Sequence, residues 1–270
     1  MSLTVPSPAG GDVTTEAFLA RAPEVSLLNL RVDAIADSGT ATRALTLAGE
    51  DLAGFGYRPG QDIMVLADTS GGRIIRRRYT IRRHDPVART LDLHIVTDTD
   101  GPGAAWALAL KVGDPVEAIG PRGKITLAPD ATSHLFIGDD VAVPAFAAMV
   151  EALPPGSRAS VVAEVAAYAD KITLEGADRV QVKVVWMFRE GPGRPPGAPD
   201  GLVAAARTTP LPEGDGHAYV FGEARVVAAV ADVLRERGLP PERISAKAYW
   251  GLGRANASHG EPLKTPPPAP

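Results

Sequence analysis

The chain contains no cysteine. That absence excludes disulfide staples, thiolate metal sites, Cys-ligated iron–sulfur clusters and dithiol redox relays. Histidine is also sparse. The five residues, at positions 84, 94, 134, 217 and 259, are scattered with no short metal-ligand spacing, so no metal site is expected. Any redox chemistry must use an organic cofactor. Nor is there a surplus of positive charge: the formal net charge is −4, which argues against a general nucleic-acid binder. No run approaches the roughly 20 apolar residues that span a bilayer. Residues 1–12 have neither a basic opening nor an apolar stretch, so no signal peptide is expected there. A cytoplasmic protein without membrane insertion is the expectation.

What is present is enough for two ordinary domains: 270 residues, 45% of them hydrophobic. The positive charge is concentrated in one run, Arg73-Ile-Ile-Arg-Arg-Arg-Tyr-Thr-Ile-Arg-Arg-His84. Its centre alternates, which suits a strand with Arg78, Thr80 and Arg82 on one side and Tyr79 and Ile81 on the other. Guanidinium forks match phosphate oxygens and a Tyr ring offers a flat apolar face. A solvated basic edge strand is the competing reading.

The pattern around this run divides the chain. Residues 1–24 read as a loose arm or short helix. Strands are expected over 25–36, 42–47, 61–67, 74–83, 91–97 and 115–120, each bounded by turn signals. Six short strands with little helix predict an antiparallel β-barrel domain over 25–129. From 130 to 256 the pattern becomes α/β. Strands over 134–137, 159–165, 180–188, 218–221 and 244–249 alternate with helices, one after Pro144 and one over 226–238, with a possible short helix at 202–207 in a Gly/Pro-rich loop. That alternation predicts a parallel sheet of the nucleotide-binding kind, although neither Gly-x-Gly-x-x-Gly nor a Walker sequence is present. The tail, 257–270, cannot bury a core and is expected to be disordered. Between the last two barrel strands, Asp98-Thr-Asp-Gly-Pro-Gly-Ala-Ala-Trp106 is a Gly-rich loop. It could bring backbone N–H groups to a pyrophosphate, with Trp106 opening a helix behind it; an ordinary Gly-Pro turn is the alternative.

Several of these stretches, in order, resemble one family. Arg-x-Tyr-Thr-x-Arg within the basic run resembles the flavin-binding strand of the ferredoxin-reductase superfamily, in particular of siderophore-interacting proteins. Gly101-Pro102, a few residues before Trp106, are similar to that family's Gly-Pro-Ala-Ser-x-Trp, with Asp98-Thr99 in place of His-Gly and Gly103-Ala104 in place of Ala-Ser. Gly138-Asp139-Asp140-Val141-Ala142-Val143-Pro144-Ala145 resembles Gly-Asp-Glu-Thr-Ala-Leu-Pro-Ala. Trp186 to Arg189 resembles Trp-x-x-Arg, Phe221-Gly222-Glu223-Ala224 resembles Ala-Gly-Glu-Ala, and Lys247-Ala-Tyr-Trp250 resembles the closing segment.

The resemblance implies a flavin-dependent ferric-siderophore reductase. It implies FAD across 78–82, with Arg78 on phosphate, Tyr79 flanking the ring system, Thr80 as the catalytic hydroxyl near its N5, and Ile81 and Arg82 completing the strand. Asp98, Thr99, Gly101, Pro102, Gly103, Ala104, Trp106 and Trp250 join the implied FAD site. It implies NAD(P)H, or possibly reduced ferredoxin, as donor, with nucleotide contacts from Gly138, Asp139, Asp140, Val141, Pro144, Trp186, Arg189, Gly222 and Glu223. A ferric siderophore, bulky and often anionic, would meet an open basic mouth for which Arg122, Lys124, Lys247 and Arg254 are the available cations. Two other readings stay open: a flavin-dependent NAD(P)H oxidoreductase for another acceptor, and a flavin- or siderophore-binding protein without turnover.

Overall fold

Alternating apolar residues become strands, and the pairing registers, which no local pattern dictates, join them into two large sheets. The structure, a computed structural model, describes residues 4–6, 12–14, 25–68, 75–174, 179–189 and 196–253. The chain divides into two compact units, Met1–Asp37 with Thr42–Thr126, and Ser38–Ala41 with Leu127–Pro270. Among the described residues no helix is long and apolar enough to cross a membrane.

In the first unit, β1 (Thr4–Pro6) and β2 (Asp12–Thr14) pair as a short antiparallel ribbon, where a loose arm or short helix is expected from sequence. The main sheet uses β3 (Ser26–Ser38), β4 (Thr42–Ala48), β5 (Asp62–Asp68), β6 (Ile75–Thr80), β7 (Arg83–Asp85), β8 (Thr90–Val96) and β9 (Pro115–Arg122). It is antiparallel, in the order β6-β5-β9-β3-β4-β8-β7. Leu28, Leu30, Leu45, Leu47, Ile63, Val65, Leu91 and Leu93 alternate along their strands and share one core. Each such buried side chain contributes roughly 1.5–3 kcal/mol. The strand expected over 74–83 is two strands. At its break the Ile81 amide donates to the Gln61 carbonyl at 3.0 Å, and the Arg82 amide to the Asp92 carbonyl at 2.9 Å. The chain thus crosses from the β5 edge to the β8 edge and curls the sheet closed. Helix α1 (Pro102–Ala109) lies between β8 and β9 and starts at Pro102, so Trp106 sits within it rather than opening it. Proline at the first turn, where its missing N–H costs nothing, fits that start.

The second unit is a parallel sheet of β10 (Ser133–Asp139), β11 (Arg158–Val165), β12 (Gln181–Phe188), β13 (His217–Glu223) and β14 (Ile244–Trp250). Helices α2 (Val143–Glu151), α3 (Asp200–Thr208) and α4 (Ala224–Glu236) connect the strands. The order β12-β11-β10-β13-β14 reverses direction between β10 and β13. A doubly wound sheet of this kind takes ligands at the carboxyl ends of the strands beside that reversal. One face packs Leu135, Ile137, Val162, Ala218 and Val220 with apolar residues of α3 and α4. Aromatic rings pack elsewhere in this unit: Phe136 stacks on Tyr219 with centroids 4.8 Å apart, and His134 stacks on both. Burial holds His134 below the usual imidazole range, and burial followed by the Arg243 charge pushes His217 down to about 4. Both rings pack in this layer, and His217 Nε2 also lies 2.9 Å from Ser245 Oγ.

Candidate functional site

The basic strand β6 splits its residues between two sides. Its register sets Thr80 against Asp62, Arg78 against Met64 and Arg76 against Leu66, while Asp62 also faces Arg122 of β9. Cross-strand partners point the same way. Arg78 donates from Nε to Asp62 Oδ1 at 2.7 Å and from Nη2 to Oδ2 at 2.6 Å. The Asp62 side chain is 3% exposed and that of Arg78 34%. Burial, then the charges of Arg78 and Arg76, hold Arg122 below the usual guanidinium value, with Asp62 opposing. Two guanidiniums, those of Arg78 and Arg122, therefore share one carboxylate, Arg76 adds its charge beside Arg122, and Lys124 is exposed two residues beyond Arg122.

On the opposite side, Arg77 and Tyr79 face the start of α1. A Cβ on Gly103 would lie 2.6 Å from Tyr79 Oη and 3.3 Å from Arg77 Cγ, so only glycine permits this approach. A Cβ on Gly101 meets nothing closer than 3.6 Å. Tyr79 stacks on Trp106, ring centroids 5.7 Å apart and 13° from parallel. Burial raises the Tyr79 phenol far above its usual value, so it stays neutral. Among the described residues no side chain caps α1 at Gly101, and its first N–H groups are open to a ligand or water. Asp98 and Thr99 are exposed, and Ala104 is buried.

The geometry bears on the expected site in three places. The spacing Arg-x-Tyr-Thr begins at Arg77, and Arg77 is the cation beside Tyr79 and the α1 start, whereas Arg78 is held by Asp62 on the other side. The Ile81 side chain is wholly within the core. Arg82 lies past the break, 6% exposed, and does not extend a face shared by Arg78 and Thr80.

The second unit gathers most of the expected nucleotide residues at the strand reversal. Asp139 Oδ2 accepts from the Glu223 amide at 2.9 Å and from Trp250 Nε1 at 2.8 Å. Glu223 caps α4, accepting from the Arg225 and Val226 amides at 2.6 and 3.0 Å, and also takes the Leu252 amide at 3.1 Å. Gly222, at φ 137°, leaves no room for a Cβ, which would lie 2.6 Å from the Asp139 carboxyl. Arg189 pairs with Asp140 and lies 4.0 Å from Glu164. Burial, then the charge of Asp140, pushes the Asp139 carboxyl up to about 8. Asp139 and Glu223, 3% and 1% exposed, thus knit strand ends together. Gly138 and Pro144 are buried, Val141 and Trp186 half-buried. Lys247, placed by the sequence reading in an open mouth, is only 5% exposed, with Nζ 5.2 Å from the Tyr249 ring centroid. Arg254 lies outside the described residues. Sequence reasoning missed Arg77, whose signal was the motif spacing, and Asp62, whose link to Arg78 depends on register alone.

A closed antiparallel sheet followed along the chain by a doubly wound α/β unit defines the ferredoxin-reductase-like class of FAD- and nucleotide-binding folds. Within that class the assignment is sharper. Residues 55–125 match the profile of the siderophore-interacting FAD-binding domain, and residues 131–253 that of the siderophore-interacting protein. The chain is 31% identical over 240 residues to the ferric vibriobactin reductase ViuB of Vibrio cholerae serotype O1, covering 80% of this chain and 86% of that one. Its structure is similar to a siderophore utilization protein from T. fusca (TM-score 0.77, 25% identity, 96% and 99% of the two chains). It is also similar to the siderophore-interacting protein SipS from Aeromonas hydrophila (TM-score 0.73, 26% identity, 86% and 94%). The chain belongs to the siderophore-interacting protein family.

Proposed function

We propose that this chain is an FAD-dependent oxidoreductase that carries electrons from NAD(P)H to Fe(III) held in a siderophore and so releases ferrous iron. The observation that supports it most is the patch formed by Arg77, Tyr79, Trp106 and the uncapped start of α1, inside the stretch that matches the FAD-binding domain. A guanidinium and open helix N–H groups suit a diphosphate, and a neutral aromatic pair suits a flat ring, so the residues fit FAD. Bound FAD supplies the conversion between a two-electron donor and a one-electron acceptor. In this reading Arg77 and the backbone of Gly101 to Ala104 hold phosphate. Tyr79 and Trp106 form an apolar wall for the ring, whereas Thr80 belongs to the other side of β6, with Asp62 and Arg78.

The second unit receives the nicotinamide nucleotide at the carboxyl ends of β10 and β13, with Asp139, Glu223 and Arg189 shaping that edge. Arg76, Arg78, Arg122 and Lys124 form the cationic face for an anionic ferric chelate. Ferrous iron binds hard oxygen donors less well than ferric iron, so reduction frees it without any protein ligand.

The test is spectroscopic. The purified chain should be yellow, or become so with FAD; anaerobic NADH, NADPH or reduced ferredoxin should bleach it, and a ferric siderophore should restore the colour. A chain that takes up no FAD refutes the flavin reading. A bleached chain that ferric siderophore leaves bleached refutes the acceptor.

A further inference from the structure

Asp62 is unusual for its place. It opens a strand that is apolar from Ile63 to Ala67, is almost wholly withdrawn from water, and lies beside the guanidiniums of Arg78 and Arg122. A carboxylate buried there without partners would be strongly unfavourable. The turn after β9 closes over it: Gly123, at φ 99°, passes so near that a Cβ would lie 3.5 Å from Asp62 Oδ2 and 3.7 Å from Arg78 Nη2. That turn is itself fixed, because Gln61 Nε2 donates to the Gly123 carbonyl at 3.1 Å while Gln61 Oε1 accepts from the Arg58 amide at 2.8 Å. Asp62 engages one edge of the Arg78 fork, Nε and Nη2, with both carboxylate oxygens. A two-point pair of this kind fixes the guanidinium plane as well as its position.

We propose that Asp62 is a positioning residue that fixes Arg78, beside Arg122, in the geometry that docks the anionic acceptor. The inference rests on the reading of this cationic face as the acceptor's docking site. It differs in sign from simple electrostatics. A carboxylate amid cations weakens their pull on an anion, so charge alone predicts that removing it tightens binding. Positioning predicts the reverse, because a released Arg must be ordered again on each binding event.

The experiment measures equilibrium binding to the full-length chain by tryptophan fluorescence quenching, with anionic ferric citrate and cationic ferrioxamine as probes. Asp62→Asn keeps the shape and removes the charge; Arg78→Lys keeps the charge and removes the two-point pair. Each is expected to weaken ferric citrate binding about tenfold, or about 1.4 kcal/mol, and to leave ferrioxamine unchanged. In an Arg78→Ala background, Asp62→Asn should add nothing. Unchanged or tighter citrate binding by Asp62→Asn, equal loss for both probes, or additive losses in the double variant would each overturn the proposal. Should Asp62→Asn fail to fold, unaltered citrate binding by Arg78→Lys overturns it alone. If Arg122→Ala binds ferric citrate as the wild type does, the face itself is misread and the proposal falls with it. If Arg122→Ala loses binding while Asp62→Asn does not, only the role of Asp62 is refuted.

Discussion

Replacing Asp139 with Asn probes the strand reversal of the second unit. One carboxyl oxygen of Asp139 takes two donors, Glu223 N and Trp250 Nε1, while Oδ1 is buried with no hydrogen-bond partner among the described residues. Its environment pushes the group up to about 8, against about 3.9 in an unfolded chain. Between those values the folded state binds one more proton than the unfolded state, so this group lowers stability as pH rises through that window. The slope is at most about 1.4 kcal/mol per pH unit. The charged groups facing it are Asp140 and Arg189, the latter also approaching Glu164, while Glu223 meets it through its backbone amide. His217, pushed down to about 4, acts in the opposite sense, its stability contribution rising with pH between that value and the usual 6.5. The difference between variant and wild type removes that background. Asn keeps the acceptor for both donors and cannot ionise. In urea denaturation followed by tryptophan fluorescence, the variant should match the wild type at pH 5 within about 1 kcal/mol. By pH 9 it should be the more stable by on the order of 2 kcal/mol or more. A constant offset at every pH, or a variant less stable at pH 9, would refute a neutral Asp139.

Two further outcomes are expected. Arg77→Ala should weaken FAD retention at least tenfold, as loss of a charge-assisted phosphate contact of about 1.5–3 kcal/mol requires, whereas Arg83→Ala should release flavin at the wild-type rate; equal rates would remove Arg77 from the site. Gly103→Ala should cost about 1–3 kcal/mol by overpacking, since its Cβ would fall 2.6 Å from Tyr79 Oη, and Tyr79→Phe in the same chain should recover most of that loss; no recovery would place the strain elsewhere.

Much of the fold was legible because its signals are local. Period-two alternation marks β3, β4, β5 and β8, and the strand–helix alternation after residue 130 announces the parallel sheet. Where reading failed, the missing information was non-local. Nothing near Asp62 reveals that it will lie beside Arg78, sixteen residues on, because only the β5–β6 register brings them together. Ile81 and Arg82 continue the alternation on paper, yet closure of the sheet ends β6 at Thr80. Nothing local shows that Asp139 and Glu223 lie in the interior, where Asp139 Oδ2 takes the Glu223 amide and the Trp250 indole and the Glu223 carboxylate takes amides of α4 and of Leu252. Arg77 was legible in sequence as the start of the motif spacing, while its place beside Gly103 at the start of α1 was not.

The central claim, that electrons pass from a nicotinamide through this chain to siderophore-bound iron, is tested most directly by counting them. Under anaerobic conditions the FAD-loaded chain is mixed with a limiting amount of NADH or NADPH, excess ferric siderophore and a colorimetric ferrous chelator. A nicotinamide gives two electrons and each Fe(III) takes one, so about two ferrous ions should be trapped per nicotinamide oxidised, and none when FAD is omitted from the cofactor-free chain. Nicotinamide oxidation without ferrous iron, or ferrous iron formed equally well without the flavin, would contradict the account.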